Sequence, residues 1–541
     1  MDEERRKAAR ASAIARPSVR EAVHAFMRAQ GMTTVFGNPG STELKFFRDW
    51  PADFRYVLGL QESCCVAMAD AYAQATRNAA FVNLHSAAGV GHALGSVFTA
   101  WRNQSPLVIT AGQQTRAMFP TDPYLYASQA AEFPKPYVKF TVEPARAADV
   151  PAAIARAYYL AMQKPCGPTF VSVPEDDWDE PAEIQEPRRV AFDIAPDPEA
   201  LAALAGAIDA SRCPVIIVGA AVDQDGAWDL VVALAERMEA PVWASPMSGR
   251  ASFPEDHRLF AGHLPPVRTQ LAAKLAGHDL VLVLGAPVFT YHVHTPGEFV
   301  PSGTVLWQFT DDPEWAARSP VGAAVRCSMR VGLSRLLDVL AERRRPPASG
   351  RSAPAVPAEG KAPTGAWLMH AIGRLMPRDA VIVEEAPTHR NALRDFLPIR
   401  TSSGFYAGAS GGLGWAVPAA VGVALAETKR KVICIVGDGS SLYAIQSLWT
   451  AMDQKLPITF VIFNNGGYGA LKSFGAMLGI PGAPGTDVAG VDFVALAKGF
   501  GCEAECVTTA ADTERALRAA FAAPAARLVD VRLSEGVERL Y

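Results

Sequence analysis

An aspartate between two glycines and a pair of asparagines are the residues of this sequence best suited to hold a metal ion. Residues 440–463 separate Gly437-Asp438-Gly439 from Asn464-Asn465. A carboxylate and an amide oxygen are too few for a calcium cage, but they suit Mg²⁺, which keeps water and borrows phosphate oxygens. The glycines let the backbone approach phosphate groups, and a helix N-terminus favours their charge. The spacing therefore predicts a site for Mg²⁺ and a diphosphate.

The pattern around these residues predicts the elements that position them. KVICIVG is typical of a buried strand, SLYAIQSLWTAMDQ of a helix and LPITFVIF of a second strand. A right-handed crossover brings the carboxyl ends of the two parallel strands to one edge of the sheet. Open α/β sheets bind ligands at that edge. Asp438 and Asn465 are therefore expected to face one ligand.

The same alternation of short β-branched runs with helical patterns extends along the 541 residues. It predicts an α/β protein with three doubly wound parallel-sheet domains. An acidic, Pro-containing stretch at residues 175–200 and a Pro/Ala/Gly-rich stretch at residues 343–365 are expected to be linkers between these domains.

Composition narrows the classes of partner and compartment. The net charge of -4 gives no reason to expect a nucleic-acid or anionic-membrane partner, and the longest apolar runs are about half a membrane span. None of the eight cysteines forms a CxxC pair, so a zinc or dithiol motif is unsupported. The N-terminal stretch is charged and has no apolar core, which predicts a frayed tail on a cytoplasmic protein.

Further motifs resemble the benzoylformate decarboxylase family of thiamine-diphosphate-dependent enzymes. The resemblance runs from about residue 20 to the end, through FGNPGSTEL, NLHSAAGVGHALG, PLVITAGQQTRAM, GAPVFTYHVHTPG, GGLGWAVPAA and GDGSS with NNGGYGALKSF. It implies a pyrimidine-binding domain at 17–185, a central Rossmann-like domain at 195–342 and a diphosphate-binding domain at 362–541. It also implies a homotetramer, a dimer of dimers, whose subunits share sites for thiamine diphosphate and Mg²⁺.

The resemblance assigns cofactor roles to individual residues. Glu62, at a strand-to-helix junction, would hydrogen-bond the aminopyrimidine ring, although a glutamate there is otherwise typical of a helix first turn. Leu413 would hold the cofactor in its bent form, or else pack as a core leucine. The Gly467 carbonyl would join Asp438 and Asn465 on the metal. The other implied cofactor-binding residues are Thr388, Gly437, Gly439, Ser440, Tyr468, Gly469 and Leu471.

Two histidines match proton-transfer residues of the family. His85 would act from the first domain and His292 from the central one, and histidine suits proton transfer near neutral pH. His294 lies two residues further on and leaves the central-domain assignment open between the two. His92 and His389 have no counterpart and are expected to be ordinary solvated side chains.

The substrate pocket is implied by one serine and several apolar residues. Ser41 would hydrogen-bond the substrate carboxylate, or serve as the N-cap of a helix, or both. Pro387 stands where the family carries a threonine, which removes a hydroxyl and a backbone donor near the cofactor, although Thr388 could still reach the diphosphate. The walls, which suit an aryl side chain or else are ordinary packing, would be Tyr124, Leu125, Leu471 and Phe474.

The implied activity is non-oxidative decarboxylation of an aryl 2-oxo acid such as benzoylformate to the aldehyde, with carboligase side activity. The alternatives are an acetolactate-synthase-like carboligase, a flavin-dependent thiamine oxidase, or another 2-oxo acid decarboxylase. Pyruvate decarboxylases typically carry a His–His pair, whereas Ser86 follows His85 here. A catalytically silent thiamine-fold binding protein is a further alternative, against which Glu62, Asp438 and Asn465 weigh. The last alternative is a nicotinamide-dependent oxidoreductase whose site lies in the central domain.

Overall fold

The computed structural model describes residues 16–341, 351–534 and 540, so most of the predicted N-terminal tail lies outside it. The strands form three six-stranded sheets, and every pair of neighbouring strands within them is parallel. This confirms the predicted fold class. Among the described helices, none combines the length and apolar character that a membrane span requires.

The first sheet has the order β2-β1-β3-β4-β6-β5. Its strands are β1 (Thr34–Gly37), β2 (Arg55–Leu58), β3 (Ala80–Leu84), β4 (Leu107–Gln113), β5 (Thr141–Val142) and β6 (Pro168–Pro174). Its α-helices are Val19–Ala29, Glu62–Thr76, Ser86–Arg102 and Val150–Met162. Short 3₁₀ helices span Ser41–Glu43, Arg116–Thr121, Ala130–Glu132, Ala147–Asp149 and Glu175–Asp179.

The second sheet has the order β12-β11-β10-β7-β8-β9. Its strands are β7 (Pro214–Val218), β8 (Val242–Ala244), β9 (Phe260–His263), β10 (Leu280–Leu284), β11 (Val305–Thr310) and β12 (Ala323–Arg326). Its helices are Pro198–Ala210, Ala220–Gln224, Trp228–Met238, Arg268–Lys274, Pro313–Arg318 and Met329–Val339. Alternate residues of β7 and β10 belong to two different hydrophobic clusters, so both faces of this sheet are covered.

The third sheet has the order β14-β13-β15-β16-β18-β17. Its strands are β13 (Val381–Glu385), β14 (Phe405–Ala407), β15 (Val432–Gly437), β16 (Ile458–Asn464), β17 (Glu503–Val507) and β18 (Arg527–Arg532). Its α-helices are Gly365–Leu375, Arg390–Phe396, Ala416–Ala426, Asp438–Ser441, Ser447–Asp453, Gly469–Met477, Phe493–Gly499 and Ala510–Ala522, and Pro387–His389 is a 3₁₀ helix.

The chain divides into two compact units. One comprises Met1–Ala73 with Asn78–Ala191, and the other comprises Gln74–Arg77 with Phe192–Tyr541. The first unit contains the first sheet, and the second unit contains both other sheets. The domain boundaries expected from the sequence remain a prediction.

The linker prediction for residues 175–200 is wrong at its start. Glu175–Asp179 form a 3₁₀ helix in which Trp178 is only 2% exposed and packs in the first hydrophobic core. Burial of this indole outweighs the acidic, loop-like composition. Residues 183–197 have neither helix nor strand. Of the second predicted linker, residues 343–350 lie outside the described part, and residues 351–364 have neither helix nor strand.

The prediction of a single helix between β15 and β16 is also wrong. The chain forms the short helix Asp438–Ser441, then a series of turns, then the helix Ser447–Asp453. Between the helices, the N–H groups of Tyr443 and Ala444 donate to carbonyls three residues back, as in a 3₁₀ turn, rather than four. The two strands remain adjacent and parallel, so the predicted edge survives this break.

Candidate functional site

The loops after β15 and β16 bring the predicted metal ligands together. One carboxylate oxygen of Asp438 accepts a hydrogen bond from the Gly439 N–H at 2.7 Å, and the other from the Gly467 N–H at 2.8 Å. The amide oxygen of Asn465 accepts from the same Gly467 N–H at 3.3 Å. Asp438, Asn465 and the Gly467 backbone therefore share one small volume at the carboxyl edge of the third sheet.

This arrangement fits a metal-bound diphosphate. Asp438 is only 2% exposed, and burial raises the pKa of its carboxyl above the ordinary value, while the neighbouring N–H groups lower it. A buried carboxylate of this kind is stabilised by a cation. At Gly439 a Cβ atom would lie 2.4 Å from the Tyr468 ring, so only glycine allows this close approach. Hard oxygen donors in a crowded backbone turn suit Mg²⁺.

The first asparagine of the pair has a different task from the second. Asn464 is the last residue of β16, and its amide donates to the Asp530 carboxylate on the neighbouring strand β18 at 2.8 Å. Both side chains are buried. This bond fixes the strand end from which Asn465 projects, a role that sequence reasoning missed.

Thr388 lies beside the same edge. Its hydroxyl accepts a hydrogen bond from the Ala470 N–H at 3.0 Å, in the first turn of the helix Gly469–Met477. Because the oxygen accepts this bond, the hydroxyl hydrogen remains available to a ligand. Pro387 precedes it, half-buried, in the 3₁₀ helix that follows β13. Of the other predicted cofactor residues, Gly437 ends β15 and Ser440 is buried in the next helix.

A buried glutamate organises the turn that carries Leu413. Glu385 ends β13 and accepts hydrogen bonds from the N–H groups of Gly414 at 2.6 Å, Trp415 at 2.7 Å and Ala416 at 2.8 Å. These donors lie at the N-terminus of the helix Ala416–Ala426. Burial raises the pKa of Glu385 to about 7 against the effect of the three N–H donors. No role was predicted for Glu385 from the sequence, although an acid at the end of a buried strand is a usable signal.

His292 contacts one predicted wall of the substrate pocket. Its ring lies edge-on to Phe474, with 4.9 Å between ring centroids. Burial, and secondarily the positive charge of Arg390, lower the pKa of His292. His292 and His294 are both exposed, and Leu471, on the same helix as Phe474, is more than half exposed. The structure therefore brings His292 and Phe474 together.

In the first unit, Glu62 is paired with a histidine that the sequence analysis left aside. Glu62 begins the helix Glu62–Thr76 and is buried. The Nδ1 atom of His92 lies 3.1 Å from a Glu62 carboxylate oxygen, although 64% of the His92 side chain is exposed. The expectation of a merely solvated side chain is therefore incomplete for His92. It is wrong for His389, which is buried with its ring 5.3 Å from that of Phe463.

His85 and Ser41 follow neighbouring strands of the first sheet. His85 comes directly after β3, and its Nδ1 atom lies 2.8 Å from a carboxylate oxygen of Glu43, a residue that sequence reasoning missed. Hydrogen bonding to Glu43 raises the pKa of His85 against the effect of burial. Ser41 is exposed and begins the short helix Ser41–Glu43, whose N-cap is Gly40, so the N-cap role considered for Ser41 is wrong.

The predicted substrate loop lies on the surface of the first unit. Tyr124 is 86% exposed, and its carbonyl accepts a hydrogen bond from the Gln114 side chain at 2.6 Å. Leu125 is half-buried and has a positive φ of 68°. Among the described residues, the side chains of His85 and Glu62 bond to Glu43 and His92 rather than to this loop. Their assignment to the substrate pocket remains a prediction.

Comparisons with known proteins cover nearly the whole chain. Family models described as the N-terminal, central and C-terminal domains of thiamine pyrophosphate enzymes match residues 17–130, 201–336 and 388–531. The chain is 43% identical to a benzoylformate decarboxylase from Pseudomonas aeruginosa, over 95% of this chain and 98% of that protein.

Solved structures of similar fold are also decarboxylases. A benzoylformate decarboxylase from Polynucleobacter necessarius gives a TM-score of 0.94 at 39% identity, covering 96% of this chain and 99% of that one. A thiamine diphosphate-dependent 4-hydroxybenzoylformate decarboxylase from Rhodococcus jostii gives 0.93 at 39% identity, covering 96% of this chain and 100% of that one.

Proposed function

We propose, from the premise that this chain belongs to the family of thiamine-pyrophosphate-dependent enzymes, that it decarboxylates an aryl 2-oxo acid such as benzoylformate to the aldehyde. The observation that carries the substrate class is the contact of His292 with Phe474 at 4.9 Å between ring centroids. This contact sets an imidazole beside an aromatic ring, an arrangement that would suit proton transfer to an aryl substrate. The names of the relatives support the same reaction.

Thiamine diphosphate, when bound, supplies the nucleophilic carbon and the electron sink that decarboxylation requires. Asp438, Asn465 and the Gly467 carbonyl would hold Mg²⁺, a proposal supported by the buried Asp438 carboxylate and its short distance to Gly467. The Thr388 hydroxyl would donate to the diphosphate, because its oxygen already accepts from Ala470. The diphosphate would be surrounded by a compact stretch of backbone, which is supplied by Gly437, Gly439, Ser440, Tyr468 and Gly469.

Two residues would prepare the cofactor for reaction. Glu62 would hydrogen-bond the aminopyrimidine ring from a buried position at the start of its helix. Leu413 would support the bent form of the cofactor, and the three bonds of the neighbouring turn to Glu385 make that support rigid. Both roles would require little movement of the protein, because Glu62 is held by His92 and the turn after Leu413 is held by Glu385.

The two histidines would divide the proton transfers. Hydrogen bonding to Glu43 raises the pKa of His85, so His85 is suited to donate a proton. Burial lowers the pKa of His292, so its ring is suited to accept one. Opposite shifts of this kind are a basis for assigning an acid and a base. We therefore assign the donor role to His85 and the acceptor role to His292, the histidine whose ring contacts Phe474.

The remaining pocket assignments concern the substrate. Ser41, with its exposed hydroxyl, would bind the substrate carboxylate. Phe474 and Leu471 would line the aryl group, and Pro387 would narrow the pocket beside Thr388. Tyr124 and Leu125 would cover the substrate from their surface loop.

We further propose a homotetramer with shared active sites. On and after the helix that carries Phe474, the large apolar side chains of Leu471, Met477, Leu478 and Ile480 are each about half exposed or more. An apolar surface of this kind is suited to burial against another subunit. The three domain bounds, the carboligase side activity and the cytoplasmic location also remain predictions.

The test is product release from three 2-oxo acids. The purified protein, with thiamine diphosphate and Mg²⁺, is supplied with benzoylformate, pyruvate or phenylpyruvate, and CO₂ and aldehyde are measured. Fast benzaldehyde release from benzoylformate is expected. Acetolactate formation from pyruvate by a flavin-containing protein, without aldehyde release, would contradict the proposal and favour the synthase alternative.

Phe474→Ala tests the substrate class separately. Loss of the aromatic wall is expected to raise KM for benzoylformate more than KM for the smaller pyruvate. Val339→Ala is the matched control, because it removes an exposed apolar side chain at the end of the helix Met329–Val339, which has no part in the proposed pocket or subunit contact. An equal effect of Phe474→Ala on both substrates would contradict the assignment of an aryl pocket.

A further inference from the structure

Glu43 is a buried acid directly bonded to His85. Its side chain is 1% exposed, and one of its oxygens lies 2.8 Å from the His85 Nδ1 atom. The two residues follow β1 and β3, which are neighbours in the first sheet although β2 separates them in sequence. They therefore meet where the strand order of an open α/β sheet reverses, which is the usual ligand-binding position.

The other donors to Glu43 are supplied by the first unit. Its Oε2 atom, which contacts His85, also accepts the Gly40 N–H at 2.9 Å. Its Oε1 atom accepts the Gly112 N–H at 2.9 Å, the Thr42 hydroxyl at 2.7 Å and the Ser86 N–H at 3.3 Å. Five donors, counting His85, thus converge on two oxygens, and a carboxylate so surrounded is held in one orientation.

Two glycines allow this close packing. A Cβ atom on Gly40 would lie 2.0 Å from His85 Nδ1, and one on Gly112 would lie 2.1 Å from a Glu43 carboxylate oxygen. Any side chain at either position would displace the imidazole or the carboxylate. The backbone therefore confines both members of the pair.

We propose that Glu43 is a positioning residue for proton transfer at His85, holding the ring by Nδ1 so that Nε2 is the atom that exchanges the proton. This inference rests on the proposed function, because it deepens the role of His85 in that reaction. A carboxylate only accepts hydrogen bonds, so the Nδ1 atom that faces it carries a hydrogen. The tautomer and the ring orientation are then fixed together, as they are by the carboxylate partners of other functional histidines.

The negative charges around His85 also favour its protonated form. The charged groups that influence His85 are Glu43, from the short helix Ser41–Glu43, and Glu62, from the start of the helix Glu62–Thr76. Both raise the pKa of His85, and the hydrogen bond that His85 donates to Glu43 has the largest effect. Thr42, whose hydroxyl lies 3.4 Å from His85 Nδ1, is uncharged. Removal of the Glu43 carboxylate is thus expected to change the pKa of His85 more than removal of the Glu62 carboxylate.

The test measures the protonation of His85 without relying on turnover. The exchange of the imidazole C2 hydrogen with deuterium is followed against pH by mass spectrometry of the full-length protein. Fragment ions separate His85 from His92, because both lie in the tryptic peptide 78–102. In the native protein, the pH midpoint of this exchange at His85 is expected above 6.5, the ordinary pKa of histidine. In Glu43→Gln it is expected to fall by about one unit or more.

Asp177→Asn is the matched control. Asp177 is a buried acid of the same unit that is bonded to Arg116, and it is not among the charged groups that influence His85. It is expected to leave the His85 midpoint unchanged even if it lowers stability. A native midpoint at or below 6.5 would overturn the proposal, as would an unchanged midpoint in folded Glu43→Gln. If Glu43→Gln does not fold, the native midpoint and the Glu43→Asp variant decide.

Kinetics then connect the pair to the reaction. In Glu43→Gln, the alkaline limb of the kcat/KM profile with benzoylformate is expected to move to lower pH by the same amount as the exchange midpoint. A loss of activity with an unmoved limb would contradict the positioning role and indicate a structural one. If no 2-oxo acid is decarboxylated, the exchange midpoints still decide whether Glu43 controls His85, so failure of the proposed function is distinguishable from failure of this inference.

Discussion

The carboxylate of Asp438 accepts a hydrogen bond at 2.8 Å from the backbone N–H of Gly467, although these residues follow different strands. The bond folds the loop after β16 onto the end of β15. As a result, hydrogen bonds within the protein hold the Asp438 and Asn465 side chains and the Gly467 backbone together. Groups held in place in this way lose little conformational freedom when a ligand binds.

The first prediction concerns Asp438→Asn. The substitution keeps the size of the side chain but removes the charge, so Mg²⁺ loses its only anionic protein ligand in the proposed set. Since a change in a residue merely supporting a metal ligand costs about 10- to 100-fold in affinity, loss of this ligand is expected to weaken Mg²⁺-dependent thiamine diphosphate binding by more than about 100-fold. Isothermal titration of the purified variant with the cofactor, with and without Mg²⁺, measures this effect.

Asp453→Asn is the control for that titration. Asp453 is an exposed acid at the end of the helix Ser447–Asp453, so its variant carries the same change in net charge. It is expected to bind the cofactor like the native protein. Equal affinity of the Asp438 variant and the native protein would show that the aspartate motif is not the metal site.

A second prediction separates Glu62 from its partner His92. Glu62→Gln is expected to lower kcat by about 10²- to 10⁴-fold, the usual size of an acid–base contribution. His92→Asn breaks the same 3.1 Å contact but leaves the carboxylate in place, so its effect is expected to be within about tenfold. Steady-state kinetics and circular dichroism of both variants give the comparison. Near-native turnover of Glu62→Gln would remove Glu62 from the proposed mechanism.

Glu385→Gln tests the turn that carries Leu413. A glutamine amide cannot accept all three N–H bonds, and a buried N–H left without a partner costs about 1–3 kcal/mol. The urea midpoint for unfolding of the second unit is expected to fall, and thiamine diphosphate affinity with it. Leu413→Ala is the control, since it leaves the three bonds intact and is expected to change kcat more than the midpoint. An unchanged midpoint in Glu385→Gln would contradict the role given to this carboxylate.

The fourth prediction concerns pH and His24. Burial lowers the pKa of His24 to about 4 from an ordinary value of 6.5, and its ring packs against those of Phe46, Trp50 and Phe54. The unfolded chain therefore binds the proton first as pH falls, so stability is lost between about pH 6.5 and pH 4. The loss is expected to approach about 3 kcal/mol. It is fully avoided above pH 6.5, where both states are neutral.

Urea unfolding at several pH values measures this loss. His24→Phe keeps an aromatic ring without a titratable group, and its unfolding free energy is expected to depend less on pH over the same interval. An equal pH dependence in the native and variant proteins would assign the acid sensitivity to other groups.

Local patterns in the sequence determined the three parallel sheets and the edge that holds Asp438 and Asn465. Each strand and helix there is encoded by consecutive residues, and a strand–helix–strand connection has one favoured handedness. The prediction therefore held even where the helix between β15 and β16 proved to be broken. The linker prediction for residues 175–200 was wrong at its start, because the burial of Trp178 depends on residues distant in sequence.

Only the tertiary structure decided which polar side chains are partners. Glu43 and His85 are 42 residues apart, and Asn464 and Asp530 are 66 apart, with no spacing rule that joins them. Glu385 likewise bonds to N–H groups 29 to 31 residues away, and His389 is buried at the end of the 3₁₀ helix Pro387–His389. A strand sequence specifies its own hydrogen-bonding edge, but the neighbour that reaches a given side chain depends on strand order and packing. The sequence by itself thus determined the fold and the sheet edge that carries Asp438 and Asn465, whereas the hydrogen bonds that orient His85 and the Leu413 turn required the folded chain.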